Sequence, residues 1–511
     1  MQGNSDRDPE LLDAAAMVGH LVPEGSVYAF LAEHRRRLFP DELFTDLFPT
    51  RRGRPSVPAD VVATVMLLQS LEGLSDRDAI VSLRTDLRWK VAAGLALGDE
   101  GFHPTVLTLW RNKLRDSEQP QRVFDAVRAV VAQTGVLKGK TRRALDSTLL
   151  DDAVATQDTV TQLVSMIRRV RASIQAAAEV DVTGHDYAAG GKPACAWDDP
   201  AARDELVTAL VGDALAILER LDDVALDEDH QQLVALLALV AGQDVEPDPD
   251  RGEGTWRIAR QVAKDRVIST VDPETRHMHK SRSNYRDGYK AHIAVEPDTG
   301  IITGCDLTPA NTGDGPVGVA LLAGDEPGLD VLADSAYGSG QVRHDLDAAT
   351  HTAVIKPWPL ARNPKLGADQ FHRDDFTVDH QARTVTCPEG NTVHITTGGA
   401  AVFGVRCRGC PARSRCTSAV DGKTFRVTEH DQLLATARAD WHEGTGVDDY
   451  RQHRPMVERS IAWLVANNNR RVRYRGVQRN QIGLSTRVAA INLRRLLNLG
   501  LHHGPTGWTI A

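Results

Sequence analysis

The chain has 511 residues, 41% hydrophobic and 25% charged, with a formal net charge of −9. A soluble globular protein of roughly two to four structural units fits this profile. No apolar run approaches bilayer length, and the polar opening MQGNSDRDPE has no signal-peptide core, so a cytoplasmic protein without a membrane partner is expected.

The charge is unevenly spread. From Asp198 to Glu253 there are 16 acids and 3 basic residues, which leaves +4 for everything else. From Arg451 to Arg479 there are 8 arginines against one acid, Glu458. Phosphate contacts depend on local rather than whole-chain charge, so this segment keeps nucleic acid in view as a partner.

Residues 1–140 read as helical. Val61, Val62, Val65, Leu68 and Leu71 recur at helical spacing after Pro58, and Gly73 ends the run. Ser75 with Asp78 three residues later reads as an N-cap opening a second helix, and a third follows Pro104 with Trp110, Arg111, Lys113 and Arg115. Three short helices with a glycine turn fit either a helix-turn-helix that binds DNA or a plain packing bundle.

The pattern changes near residue 142. RRALDSTLLDD reads as a short strand ending near Asp146, followed by helical stretches over 157–180 and 201–240 and the linker DVEPDPDRGEG. Strand signals return in RVIST, in a hairpin of GYKAHIAVE and IITGCDLT around a PDTG turn, in LDVLAD and in TAVIK, with helices from Val317 and after Gly338. The result is a mixed α/β sheet interrupted by a helical insertion of roughly a hundred residues.

Three acids stand out. Asp334 ends the apolar strand VLAD before the small-residue turn SAYGSG, where α/β sheets place their sites; an N-cap explains it equally well. Asp146 ends RRALD, and Glu458 borders the apolar face Val457, Ile461, Leu464 and Val465 of a helix. Carboxylates suit Mg²⁺ (or Mn²⁺), and two ions held roughly 3.5–4 Å apart cleave phosphodiesters, so the three should converge within about 4–8 Å. No histidine cluster is adequate for a catalytic zinc.

Cys387, the Cys407-x2-Cys410 pair and Cys416 supply four thiolates for a possible closed structural Zn²⁺ site, against a set of reduced, unliganded cysteines. Cys195 and Cys305 read as ordinary small residues. Arg470, Arg471, Arg473 and Arg475, interleaved with Tyr474, form a basic patch suited to phosphate contact and base stacking. His292 reads as a satisfied sheet residue and Asp314 as a helix-start residue, with roles beside a phosphoryl-transfer site as the alternative.

RGRPSVPADVV, GLSDRDAIVSLRTDLRWKVAAGL, LDST, DPETRHMHKSRSNYRDGYKAHIAVEPDTGII, LTPANTGD, VLADSAYGS, the cysteine cluster and RPMVERSIAWLVANNNRRVRYRG occur in that order. In this combination the chain, from about Arg51 to about Leu499, resembles bacterial insertion-sequence DDE transposases of the insertion sequence eleven eighty-two group. The resemblance implies an α/β RNase H-like mixed-sheet core with a helical N-terminal domain, a helical insertion and a cysteine-rich insertion. It implies that Asp146, Asp334 and Glu458 carry the metal ions. The expected layout is a DNA-binding or dimerisation domain over 1–140 and a catalytic core over 141–156, 255–365 and 441–511. Insertions over 157–254 and 366–440 complete it. Expected partners are double-stranded DNA, as element ends and target, and a second copy of the chain on DNA, with a nucleoid-associated location.

Related transposases often carry Tyr-x2-Arg-x3-Glu-x6-Lys around the glutamate. Here Arg454 stands correctly before Glu458 and is expected at the DNA. Arg451 occupies the tyrosine position, with Tyr450 one residue early, and Val465 replaces the lysine. Two alternatives stay open: an RNase H-fold nuclease that does not join, and a domesticated, catalytically silent DNA-binding protein.

Overall fold

The computed structural model describes residues 1–5, 12–50, 52–281 and 284–511. Arg51, where the resemblance begins, and Arg282 and Ser283 within its central motif lie outside the described residues.

The N-terminal helices follow their sequence signals. The main ones are α1 (Val27–Leu38), α2 (Ala59–Glu72), α3 (Asp76–Thr85), α4 (Leu87–Ala93), α5 (Thr105–Arg115) and α6 (Arg122–Thr134). Pro58 precedes α2, and Gly73 ends it in the left-handed region at φ 69°. A side chain there would collide with the Asn467 carbonyl, so glycine is also required by close approach. The Ser75 hydroxyl accepts the Asp78 amide at 3.1 Å, which is the N-cap of α3.

The central sheet has six strands: β1 (Arg142–Asp151), β2 (Arg276–Ser281), β3 (Asn284–Val295), β4 (Ile302–Pro309), β5 (Asp330–Ala333) and β6 (Thr352–Ile355). Their order is β2-β3-β1-β5-β6, with β4 also paired to β3. β1 runs antiparallel to β3 from Ala144↔Val295 to Asp151↔Gly288, and parallel to β5 from Arg142↔Asp330 to Ala144↔Leu332. β5 and β6 are parallel from Asp330↔Thr352 to Ala333↔Ile355. The sheet is therefore mixed. RVIST is not a strand: Val267 and Ile268 are buried without a ladder, their carbonyls accepting the Gln162 side chain and the Gln157 amide.

Between β1 and β2 lie α7 (Thr159–Ser173), α8 (Pro200–Leu221) and α9 (Glu228–Gln243), which close their own core around Leu163, Ile167, Leu210, Ile217 and Leu237. One face of the sheet packs on α10 (Asp314–Ala320) and α11 (Gly340–Ala348) through Leu145, Ala294, Val331, Tyr337 and Leu346. Residues 377–426 carry short strands around Phe376, Val385, Phe403 and Phe425, with the four cysteines. The chain then forms α12 (Val447–His453), α13 (Pro455–Val465) and α14 (Val477–Asn498). These cover the other face, where Ala144, Ile293 and Leu332 share one core with Val457, Leu464, Leu493 and the N-terminal helices.

Candidate active site

Asp146 does not end its strand. β1 continues to Asp151 because β3 runs beside it throughout and the loop at Arg470–Val472 pairs with its end, through Asp151 N–Arg470 O and Val472 N–Asp151 O, both 2.8 Å. The pairing with β5 does stop at Ala144, two residues before Asp146. Alternation sets Asp146 on the Ala144 side of the sheet, toward α13, which packs on β1.

Asp334 follows the last residue of β5. It is also an N-cap: one oxygen accepts the Ala336 amide at 2.9 Å and starts the turn Ser335–Tyr337. The two readings of this residue are compatible, since one carboxylate oxygen is left for other partners.

Arg454 binds the acids together. Its Nη2 lies 3.0 Å from Asp146 Oδ2 and its Nη1 3.6 Å from Glu458 Oε1. The Arg454 side chain is 6% exposed and that of Glu458 66% exposed, so Glu458 reaches the site from its solvent rim. Arg454, expected to contact DNA, is buried next to Asp146. Its Nε and Nη1 are buried without a hydrogen-bond partner. Burial pushes the Asp146 carboxyl above its usual range against the pull of Arg454, and the Asp334 carboxylate adds to the rise.

Tyr450 belongs to the same group. The backbone at Arg454 is itself helical, and the Arg454 amide donates to the Tyr450 carbonyl at 3.0 Å. Tyr450, Arg454 and Glu458 thus follow at four-residue intervals on one helix face. Burial raises the Tyr450 phenol, and its charged neighbours are Arg454, Asp334, Glu458 and Asp146. Arg451, in the expected tyrosine position, is largely exposed beside Asp448. The four-residue spacing was the available signal for Tyr450.

His292 is fully buried on β3, its Nε2 2.9 Å from the Thr308 hydroxyl and its Nδ1 3.7 Å from Asp314 Oδ1. Asp314 starts α10 and pairs with Lys290 at 3.1 Å. Desolvation holds the imidazole neutral, lowering its pKa to about 4. This group faces α10, on the other side of the sheet from Asp146.

The arginine loop is partly anchored. Arg470 Nη1 donates to Leu149 O at 3.1 Å, Arg471 Nε to Asp152 O at 2.9 Å, and Arg473 to Gly73 O. Arg471, Arg473 and Arg475 remain exposed, and residues Arg470–Arg473 with Asp151 and Asn468 line an open groove of about 370 Å³. Tyr474, expected to stack on a base, is partly buried and has the Arg111 guanidinium 4.7 Å from its ring centre.

Cys387, Cys407, Cys410 and Cys416 line one small cavity, and the Lys423 amide donates to Cys407 Sγ at 3.5 Å. Among the described residues, however, no three His, Cys, Asp or Glu side chains stand close enough to hold one metal ion as placed. The carboxylates still suit a hard divalent cation in donor type. A mostly buried acid and an exposed acid share one cation, Arg454, whose remaining donors are unsatisfied.

A family model described as a transposase DDE domain matches residues 256–493, and one described as a transposase domain (DUF772) matches residues 17–113. No curated protein and no solved structure matches the chain. The chain is a transposase, and its enzymatic part is of the DDE type, a class that works on DNA with divalent metal ions. The mixed sheet flanked by helices agrees with the RNase H-like fold of that class. Asp334 and Glu458 lie within the DDE match, whereas Asp146 precedes it, separated by α7, α8 and α9. Among the described residues no helix is long and apolar enough to cross a membrane.

Proposed function

We propose that Asp146, Asp334 and Glu458 are the catalytic acids, and that the enzyme cuts the ends of an insertion sequence of the eleven eighty-two group and joins them to target DNA. The observation that carries this reading is the single Arg454 guanidinium between Asp146 and Glu458, with Asp334 just past the end of the adjoining strand. Those three acids would hold Mg²⁺ or Mn²⁺, which supply charge neutralisation at the scissile phosphate and a more acidic attacking water or hydroxyl. Arg454 opposes the rise that burial imposes on the Asp146 carboxyl and pairs with its Oδ2. The turn capped by Asp334 fixes that carboxylate's direction, while Glu458 on the rim would meet an arriving cation from the solvent side.

The N-terminal helices and the Arg470–Arg475 loop would contact duplex DNA, and synapsis of two ends calls for at least two copies of the chain. The layout of a helical domain over 1–140, a divided core and insertions over 157–254 and 366–440 is part of this proposal. So is a structural Zn²⁺ on Cys387, Cys407, Cys410 and Cys416, to be measured as one equivalent of zinc lost in Cys407→Ser.

The test is strand cleavage of labelled duplexes carrying the inverted repeats that flank the gene. Cleavage should require Mg²⁺ or Mn²⁺ and disappear in Asp334→Asn, with joined products when target DNA is added. Cleavage without joining would leave a nuclease, and no cleavage by the parent chain would leave a DNA-binding regulator.

A further inference from the structure

One buried guanidinium joins the two matched segments of the chain. Arg487, on α14, is 5% exposed. Burial and a second cation, Arg494, lower its pKa to about 10, so it stays charged at neutral pH. Its five N–H groups all go to backbone carbonyls. Nη1 donates to Ser70 O at 2.5 Å and Leu71 O at 2.7 Å, in the last turn of α2. At the end of α13, Nη2 donates to Trp463 O at 2.5 Å and Ala466 O at 3.4 Å, and Nε to Leu464 O at 3.3 Å. Ser70 and Leu71 fall in the N-terminal match, Arg487 and α13 in the DDE match.

The last carbonyls of a helix lack partners within it and carry the negative end of its dipole. Two such ends meeting in a buried place would repel each other and leave oxygens unsatisfied. One cation between them removes both costs. The chain beyond α13 tightens the joint. Asn467 and Asn468 turn it at φ 55° and 60°, a left-handed conformation that asparagine tolerates. Asn467 Nδ2 donates to Leu71 O at 3.2 Å and Asn469 Nδ2 to Ser70 O at 3.3 Å, while Gly73 leaves room for the Asn467 carbonyl. The end of α13 is thus seated on the end of α2. Glu458 lies on the same short helix, about 9 Å along its axis from Leu464. Any tilt about the seated end moves this acid.

We propose that Arg487 is a positioning residue for Glu458: by tying the end of α13 to α2, it makes the placement of that acid depend on the N-terminal helices. The proposal rests on Glu458 being a metal-holding acid, and goes beyond it by making α2 part of the frame of the active site. A withdrawal of α2 would carry the rim acid away from Asp146 and Asp334 without touching any of the three.

The experiment titrates the full chain with Mn²⁺, reading the free ion by electron paramagnetic resonance, and follows amide hydrogen exchange without metal. Arg487→Lys keeps the charge but cannot span both helix ends. Gly73→Ala presses on the Asn467 carbonyl from the α2 side, and serves alone if Arg487→Lys does not fold. Each should weaken Mn²⁺ binding at least about tenfold, the scale for losing a group that orients a metal ligand. Exchange over 459–465 should rise while that over 289–295 of β3 keeps the parent rate. Equal acceleration in both stretches would mean general destabilisation and overturns the proposal. So does parent affinity for Mn²⁺ in these variants when Glu458→Gln weakens it. A parent that binds no Mn²⁺, or a Glu458→Gln variant with parent affinity, sinks the acid reading and this inference together.

Discussion

Asp146 on β1 and Asp334, one residue past the end of β5, stand close enough for the Asp334 carboxylate to raise the Asp146 carboxyl. Two acids so placed repel each other, and Asp146 shows it, its carboxyl raised by burial and by Asp334 despite Arg454. A site that tolerates this repulsion at rest is relieved by an arriving cation.

Removing either acid should abolish chemistry with little loss of fold. Asp146→Asn and Asp334→Asn should lower cleavage by at least about 10²–10³-fold, the scale seen when a transition state loses one electrostatic partner. Duplex affinity should stay within a few-fold. Residual cleavage near the parent rate in either variant would remove that residue from the catalytic set.

Arg454 should matter to stability as well as to cleavage. It is 5% exposed and pairs with Asp146, so Arg454→Ala leaves a buried carboxylate uncompensated and should cost about 3–5 kcal/mol in urea unfolding. Adding Asp146→Asn to that variant should recover part of the loss, because the uncompensated charge is gone. An additive double variant would show that the pair is not coupled.

Tyr450 and Arg451 should separate cleanly. Tyr450→Phe keeps the ring but removes the hydroxyl from a phenol surrounded by Arg454, Asp334, Glu458 and Asp146. A loss of about tenfold in cleavage rate is expected, equivalent to about 1.4 kcal/mol of lost electrostatic support beside the acids. Arg451→Ala, altering a side chain 74% exposed, should leave the rate within about twofold. The reverse ranking would restore the usual motif register.

Asp152 provides a pH-dependent stability signal outside the catalytic group. Burial, then Asp287 and Asp272, raise its pKa from 3.8 to about 6. Between those values the folded chain retains a proton that the unfolded chain has released, so this group's contribution to stability falls as pH rises from about 4 to 6. Relative to the parent, Asp152→Asn should unfold at higher urea at pH 7 and gain less at pH 4. A difference independent of pH would contradict the raised pKa.

Where signals were local, the sequence was readable. Pro58, Gly73 and the Ser75 cap bound their helices, and the PDTG turn joins β3 to β4. Long-range partners were not readable. β1 extends past Asp146 because β3 and the Arg470–Val472 loop bind its edges, and nothing within RRALDSTLLDD encodes them. The RVIST segment has strand composition, yet its hydrogen bonds go to Gln157 and Gln162. The arginines were legible as charge, but not their division between duty toward backbone carbonyls and free surface. Arg454 carried the same ambiguity, since a basic residue before an acid says nothing about burial.

The helices between β1 and β2 also bear on synthesis. Domains fold from the N-terminus as the chain leaves the ribosome, and distant pairings wait for both partners. Asp146 emerges early, Asp334 only after α7, α8 and α9, and Glu458 later still. A nascent chain thus holds its first acid for 188 residues before the second is made (334 − 146) and for 312 before the third (458 − 146). On the proposed assignment, cutting ability then arrives only once Glu458, the last of the three acids, has been made.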